Sequence, residues 1–177
     1  MIRVHSILSV LCVGLLLALI PGRGKGQEKP ARHAPNFALT AIDGKPLHLS
    51  DYTGKVVLLD FWATWCVPCQ TEVPRFVSFQ KHYERRGFQV VGISLDDTPE
   101  PVRKFYARYK MNYPVALGTA KVANSYGGVL GLPLTYLIAR DGTIVKQYDG
   151  SADLDEMEKD IGRLLEASAK LVSQRQE

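Results

Sequence analysis

The stretch Val56-Val57-Leu58-Leu59-Asp60-Phe61-Trp62-Ala63-Thr64-Trp65-Cys66-Val67-Pro68-Cys69 decides how this chain is read. Its first part, Val56 to Phe61, is apolar and mostly β-favouring, interrupted only by Asp60. So continuous a run leaves no wet face, and it predicts a central strand buried on both sides. Past it lie two cysteines two residues apart, and a helix is expected to start near Cys66. Polar chemistry belongs where buried strands end and helices begin, and Cys66 falls at such a junction.

Working outward, the helix should run to about Arg86, with Phe76, Phe79 and Tyr83 on its apolar face, a kink at Pro74, and Gly87 as the C-terminal cap. Phe88 to Leu95 predicts a second buried strand. Thr98-Pro99-Glu100 supplies an N-cap, a first-turn proline and an acid for a helix to about Tyr109. Val115–Leu117 and 121–126 suggest a further strand and a short helix. The runs 134–139 and 144–148 flank Asp141-Gly142, a strong hairpin signal. Asp153 with Glu156 reads as a capping box opening a last helix, whose apolar face is Leu154, Met157, Ile161, Leu164, Leu165 and Leu171. Ahead of the main strand, 37–39 and 46–49 around Asp43-Gly44 predict a short hairpin. The sum is an α/β fold, a mixed central sheet with helices on both faces, an N-terminal β-hairpin and a helix-strand-helix insertion.

Two cysteines at the first turn of a helix can form a tight disulfide. The first sulfur lies near unpaired backbone N–H groups and the positive end of the helix dipole, both of which favour its thiolate. Cys66 is therefore expected to attack a partner's disulfide and Cys69, more buried, to resolve the mixed species. Zinc wants four ligands, no second cysteine pair exists, and His33, His48 and His82 are scattered, so no metal is expected. Asp60 lies inside a buried run, where an unpaired carboxylate should hold its proton near neutral pH. Glu72, three residues after Cys69, shares its helix face, where by itself it reads as a solvated residue.

The segments Ala34-Pro35-Asn36-Phe37, Gly54 to Cys69, Glu72-Val73-Pro74 and Gly131-Leu132-Pro133-Leu134-Thr135 resemble the thioredoxin superfamily, and within it the TlpA-like and ResA-like exported thiol:disulfide oxidoreductases. The resemblance spans roughly residues 34 to 171. It implies a thioredoxin fold, with Pro133 in cis facing the cysteine pair and Leu132 offering backbone groups to an extended substrate segment. It implies proton exchange between Asp60 and the resolving cysteine as in thioredoxins, although TlpA-like and ResA-like proteins often carry asparagine there. Glu72 is implied as an active-site acid of the ResA type, so which acid serves Cys69 stays open. Trp65, with Val67 and Pro68, should form a platform for partner proteins, while Trp62 packs in the core. No cofactor is expected beyond the redox-active Cys66–Cys69 disulfide. With Pro68 and no histidine between the cysteines, a reducing role is the better reading. The implied tasks are cytochrome c maturation or copper-site assembly, acting on client proteins with disulfides or thiols and re-reduced by a membrane thiol reductant.

The first 26 residues hold Arg3, Arg23 and Lys25 and no acid, leaving 19 bases against 18 acids in the rest of the 177-residue chain. That near-neutral domain lacks the basic footprint of nucleic-acid binding. Residues 1–21 read as a signal peptide or an N-terminal membrane anchor, with 4–20 as the apolar segment, which implies a periplasmic or other extracytoplasmic location. Cys12 reads as an apolar filler there. Residues 22–33 read as a linker, 34–172 as a single, monomeric domain and 173–177 as a tail. Two rival functions remain. Ala34-Pro35-Asn36-Phe37 also resembles peroxiredoxin openings, but Leu59 and Ala63 stand where a peroxidase pattern wants proline and threonine. A copper carrier using the cysteines as ligands is the other.

Overall fold

A computed structural model describes residues 32–173, with side chains through residue 167. The expected signal or anchor, most of the linker and residues 174–177 lie outside the described residues, as does the side chain of Leu171. No described helix is long and apolar enough to cross a membrane.

The chain forms β1 (Ala38–Thr40), β2 (Pro46–His48), β3 (Val56–Trp62), α1 (Val67–Tyr83), β4 (Phe88–Ser94), α2 (Pro99–Arg108), β5 (Val115–Leu117), α3 (Ala120–Ser125), β6 (Leu134–Ile138), β7 (Ile144–Asp149) and α4 (Leu154–Ser173). β1 and β2 pair as a separate hairpin, and the main sheet has the order β5-β4-β3-β6-β7. β3, β4 and β5 are parallel, whereas β6 runs antiparallel to β3, and β7 to β6. The predicted helix-strand-helix insertion is α2-β5-α3.

Every residue of β3, β4 and β6 is buried, whereas edge strand β7 alternates between half-buried and exposed positions over most of its length. Strand alternation divides the apolar residues between two cores. Val56, Leu58 and Trp62 face one way, into a layer with Cys69, Val73, Phe76 and Phe79 of α1, Val102 and Phe105 of α2, and Met157 and Ile161 of α4. Val57, Leu59 and Phe61 face the other way, toward Val122 of α3, Tyr126, Tyr136 and Leu47 of the hairpin. Asp60 has the same parity as Leu58 and Trp62, so its carboxyl enters the α1 layer.

Several boundaries differ from expectation. α1 stops at Tyr83 and a 3-10 turn carries the chain to Gly87, which holds φ 81° as the left-handed cap. Arg140 donates to Arg86 O at 2.9 Å and to Gly54 O at 2.6 Å, tying that turn to the loop before β3. The helix continues through Pro74. Thr98 occupies the N-cap of α2, but its side chain makes no capping bond. Asp153 accepts from the N–H groups of Asp155 and Glu156, while the Glu156 carboxylate reaches across to Lys146 at 2.6 Å instead of closing a reciprocal box. Arg32 and His33, at the end of the expected linker, pair with the β6–β7 turn: Ile144 N–H donates to Arg32 O, and His33 bridges Thr143.

Candidate active site

Cys66 is the N-cap of α1, and its Sγ accepts from the Cys69 N–H at 3.3 Å. The two cysteines are joined by a disulfide with Cα atoms 5.3 Å apart. Both are buried, Cys69 the more deeply. Trp65 (66% exposed) and Val67 (70% exposed) flank Cys66 and leave an apolar rim around a largely covered sulfur. The Cys69 N–H and the helix dipole are placed to favour negative charge on Cys66 Sγ once the bond opens.

The loop that presents Cys66 is fixed from β4. Asp96, just past that strand, accepts from Thr64 N–H at 2.9 Å, from the Thr64 hydroxyl at 2.5 Å and from the Ser94 hydroxyl at 2.7 Å. Gln70 Nε2 closes the arrangement from α1 by donating to Thr64 O at 2.9 Å. The sequence reading missed Asp96. Its one signal was its place after a buried parallel strand adjacent to β3, since such strands end side by side.

Beneath the helix start lie two acids. Asp60 is 2% exposed and its Oδ1 accepts from the Thr135 hydroxyl at 3.1 Å, across the register pair of β3 and β6. Burial pushes its carboxyl up to about 8, the Glu72 charge adds to the rise, and the Thr135 bond opposes it. Glu72 is 4% exposed, one turn along α1 from Cys69, and Oε1 accepts from Ala152 N–H at 3.3 Å. Burial lifts it to about 7, the Ala152 bond opposing. The solvated reading of Glu72 is thereby overturned: α1 turns this side chain inward, against the segment leading into α4. Two carboxyls that hold protons near neutrality, in the layer that also holds Cys69, can give or take the proton that thiol-disulfide exchange requires.

Leu132-Pro133 is a cis peptide, directly ahead of β6 and two residues from Thr135. Pro133 is buried, Leu132 half-buried and Leu130 fully exposed. Pro133 O accepts from Gly150 N–H at 2.9 Å, which anchors this loop to the end of β7. Trp62 is wholly buried as expected, yet its Nε1–H has no partner among the described residues. No cluster of three or more His, Cys, Asp or Glu that could hold a metal occurs among the described residues.

The AhpC/TSA family matches residues 30–147. Thiol-disulfide oxidoreductase ResA of Bacillus thuringiensis subsp. konkukian (strain 97-27) is 32% identical over 161 residues, spanning 89% of this chain and 92% of its own. Among solved structures, a Chlorobium tepidum protein assigned as a thiol:disulfide interchange protein DsbE superposes with a TM-score of 0.69 at 36% identity, covering 78% of this chain and 96% of that one. A thiol:disulfide interchange protein of the thioredoxin family from Chlorobium tepidum TLS gives a TM-score of 0.72 at 28% identity, over 77% and 98%.

Proposed function

Because this chain belongs to the AhpC/TSA family, and within it to the thiol-disulfide oxidoreductases of the ResA type, we propose that it is an exported reductant of client-protein disulfides. The observation that carries the reading is the pairing of an N-capping Cys66 with two buried, proton-holding carboxyls in the layer of Cys69.

In the proposed cycle the Cys66 thiolate attacks a client disulfide and the client's first sulfur leaves as a thiolate. Asp60 in its ionised form takes the proton of Cys69, directly or by way of Glu72, and the Cys69 thiolate attacks Cys66 Sγ. The Cys66–Cys69 disulfide forms and the second client sulfur departs, so the client gains the two electrons that the dithiol loses. A membrane thiol reductant returns the electrons by the reverse exchange, and no other cofactor takes part. Trp65, Val67 and Pro68 form the apolar rim that meets the client, and Leu132 beside Pro133 offers its backbone to an extended client segment. The work takes place in the periplasm or an equivalent space, the chain being held by residues 4–20 or released by cleavage. Cytochrome c maturation and copper-site assembly are the tasks that fit.

Two measurements test this. A glutathione titration should give a potential near thioredoxin's roughly −270 mV; a value near about −120 mV, typical of an oxidant, overturns the reducing role. Exported Cys69→Ala protein should retain clients disulfide-linked to Cys66, and their identity separates apocytochromes from copper proteins or a broad mixture.

A further inference from the structure

Strand β6 sends Leu134, Tyr136 and Ile138 into the core on the α3 side, so the alternate residues, Thr135 and Leu137, face the α1 layer. Thr135 stands directly opposite Asp60 in the antiparallel β3–β6 ladder and is 2% exposed. Valine has nearly the same shape and would fill this place without a polar atom. A hydroxyl buried among apolar side chains costs free energy unless it is bonded, and the partner it has is Asp60 Oδ1, at 3.1 Å.

The dependence runs the other way as well. Among the described residues, Thr135 gives the Asp60 carboxyl its only hydrogen bond. Gly92, the register mate of Asp60 on β4, brings no side chain, and Trp62 Nε1 and Tyr113 Cε2 close over it, 3.0 and 3.6 Å from where a Cβ would stand. The Trp62 Nε1–H has no partner among the described residues, so it does not serve the acid. From α2 and α4 the layer receives Val102, Phe105, Met157 and Ile161, all apolar. The titratable groups around Asp60 are Glu72 of α1, whose charge opposes its ionisation, and Tyr113 ahead of β5, which stays neutral. Cys69 joins them once reduced. Against burial and the Glu72 charge, the Thr135 bond is what favours the carboxylate.

We propose that Thr135 is the positioning residue of the resolving step: its hydroxyl donates to Asp60 Oδ1, favours the ionised carboxyl and leaves Oδ2 to receive the Cys69 proton. This rests on the reading of Asp60 as the acid that serves Cys69. In the mixed disulfide the Cys69 S–H bond breaks, its proton goes to Asp60 Oδ2, and the sulfur's electron pair forms the bond to Cys66 Sγ. The client sulfur leaves with the pair of the broken client–Cys66 bond. Thr135 neither gains nor loses a proton; it acts on how readily Asp60 ionises and on which oxygen is open.

The test titrates the oxidised full chain by NMR, with 13C in its aspartate carboxyls, Asp60→Asn assigning the Asp60 resonance and the disulfide keeping both cysteines from titrating. Thr135→Val should move the Asp60 midpoint up by about one pH unit, and Thr135→Ser, which keeps the hydroxyl, should leave it in place. Alongside, stopped-flow oxidation of the reduced protein by a saturating peptide disulfide follows the resolving step by tryptophan fluorescence. There Thr135→Val should be severalfold slower at pH 7, its rate profile displaced to higher pH and rejoining the wild type in alkali, while Thr135→Ser should match the wild type. An unmoved midpoint in Thr135→Val, or a rate lowered equally at every pH, overturns the proposal and leaves the role of Asp60 standing. A wild-type profile in Asp60→Asn overturns the reading of Asp60, and the proposal with it. Should Thr135→Val not fold, Thr135→Ala against Thr135→Ser makes the same comparison, since both lack the methyl and differ in the hydroxyl.

Discussion

Asp60→Asn should change how stability depends on pH, and the size of the change follows from burial. The Asp60 carboxyl, ordinarily ionising near 3.8, holds its proton to about 8 in the folded oxidised protein. Between those values only the unfolded chain releases the proton, so rising pH favours unfolding. The stabilisation is complete below the unfolded value, is lost progressively as pH climbs to the folded one, and does not return above it. At about 1.4 kcal/mol per pH unit, Asp60 accounts for a loss of about 4 kcal/mol between pH 5 and pH 8. Glu72, raised from 4.5 to about 7 by burial, adds about 2 to 3 kcal/mol over the same window. The assay is urea unfolding of the oxidised protein at a series of pH values, with the cysteines locked so that they do not titrate. Asparagine keeps the bond from Thr135 but leaves its own NH2 group buried, a cost independent of pH; the slope, not the absolute stability, is therefore the readout. Wild type should lose stability steeply from pH 5 to 8, Asp60→Asn should retain only the shallower Glu72 slope, and Asp60→Asn with Glu72→Gln should be nearly flat. Parallel wild-type and Asp60→Asn curves would refute the argument that burial holds the proton on Asp60.

Asp96→Ala removes the acceptor for Thr64 N–H and for two hydroxyls, and should cost about 2 to 3 kcal/mol in chemical unfolding while speeding alkylation of reduced Cys66 by loosening its loop. Gly92→Ala drives a methyl to 3.0 Å from Trp62 Nε1 and 3.1 Å from Val115 Cγ2, neighbours packed on both sides, and a loss of about 1 to 3 kcal/mol in the same assay is expected. Trp65→Ala, on an exposed rim, should leave stability within about 0.5 kcal/mol yet lower the rate of insulin disulfide reduction severalfold through a raised KM.

Much of this was legible from residue order. The unbroken apolar run of β3, the Asp141-Gly142 turn and the caps at Gly87 and Asp153 are local signals, and each lies within a residue or three of its predicted place. The redox pair was legible for the same reason: two cysteines at a strand-to-helix junction need only short-range geometry. Glu72 was not. Spacing put it on the face of Cys69, but its burial depends on Ala152, 80 residues away, whose N–H meets the carboxylate. The Thr98 cap shows the converse, a sound local signal that the final contacts left without its bond.

The sequence by itself determined the elements, their order, the disulfide-exchange chemistry of Cys66 and Cys69, and the presence of an acid inside a buried strand, because these follow from periodicity, spacing and the cost of burying charge. Tertiary structure alone decided that Glu72 joins Asp60 under the helix start, that Asp96 holds the Thr64 loop, and that Trp62 and Tyr113 meet over Gly92. Those arrangements are made by side chains brought together across the sheet from 30 to 80 residues apart, and burial is a property of what surrounds a residue in space.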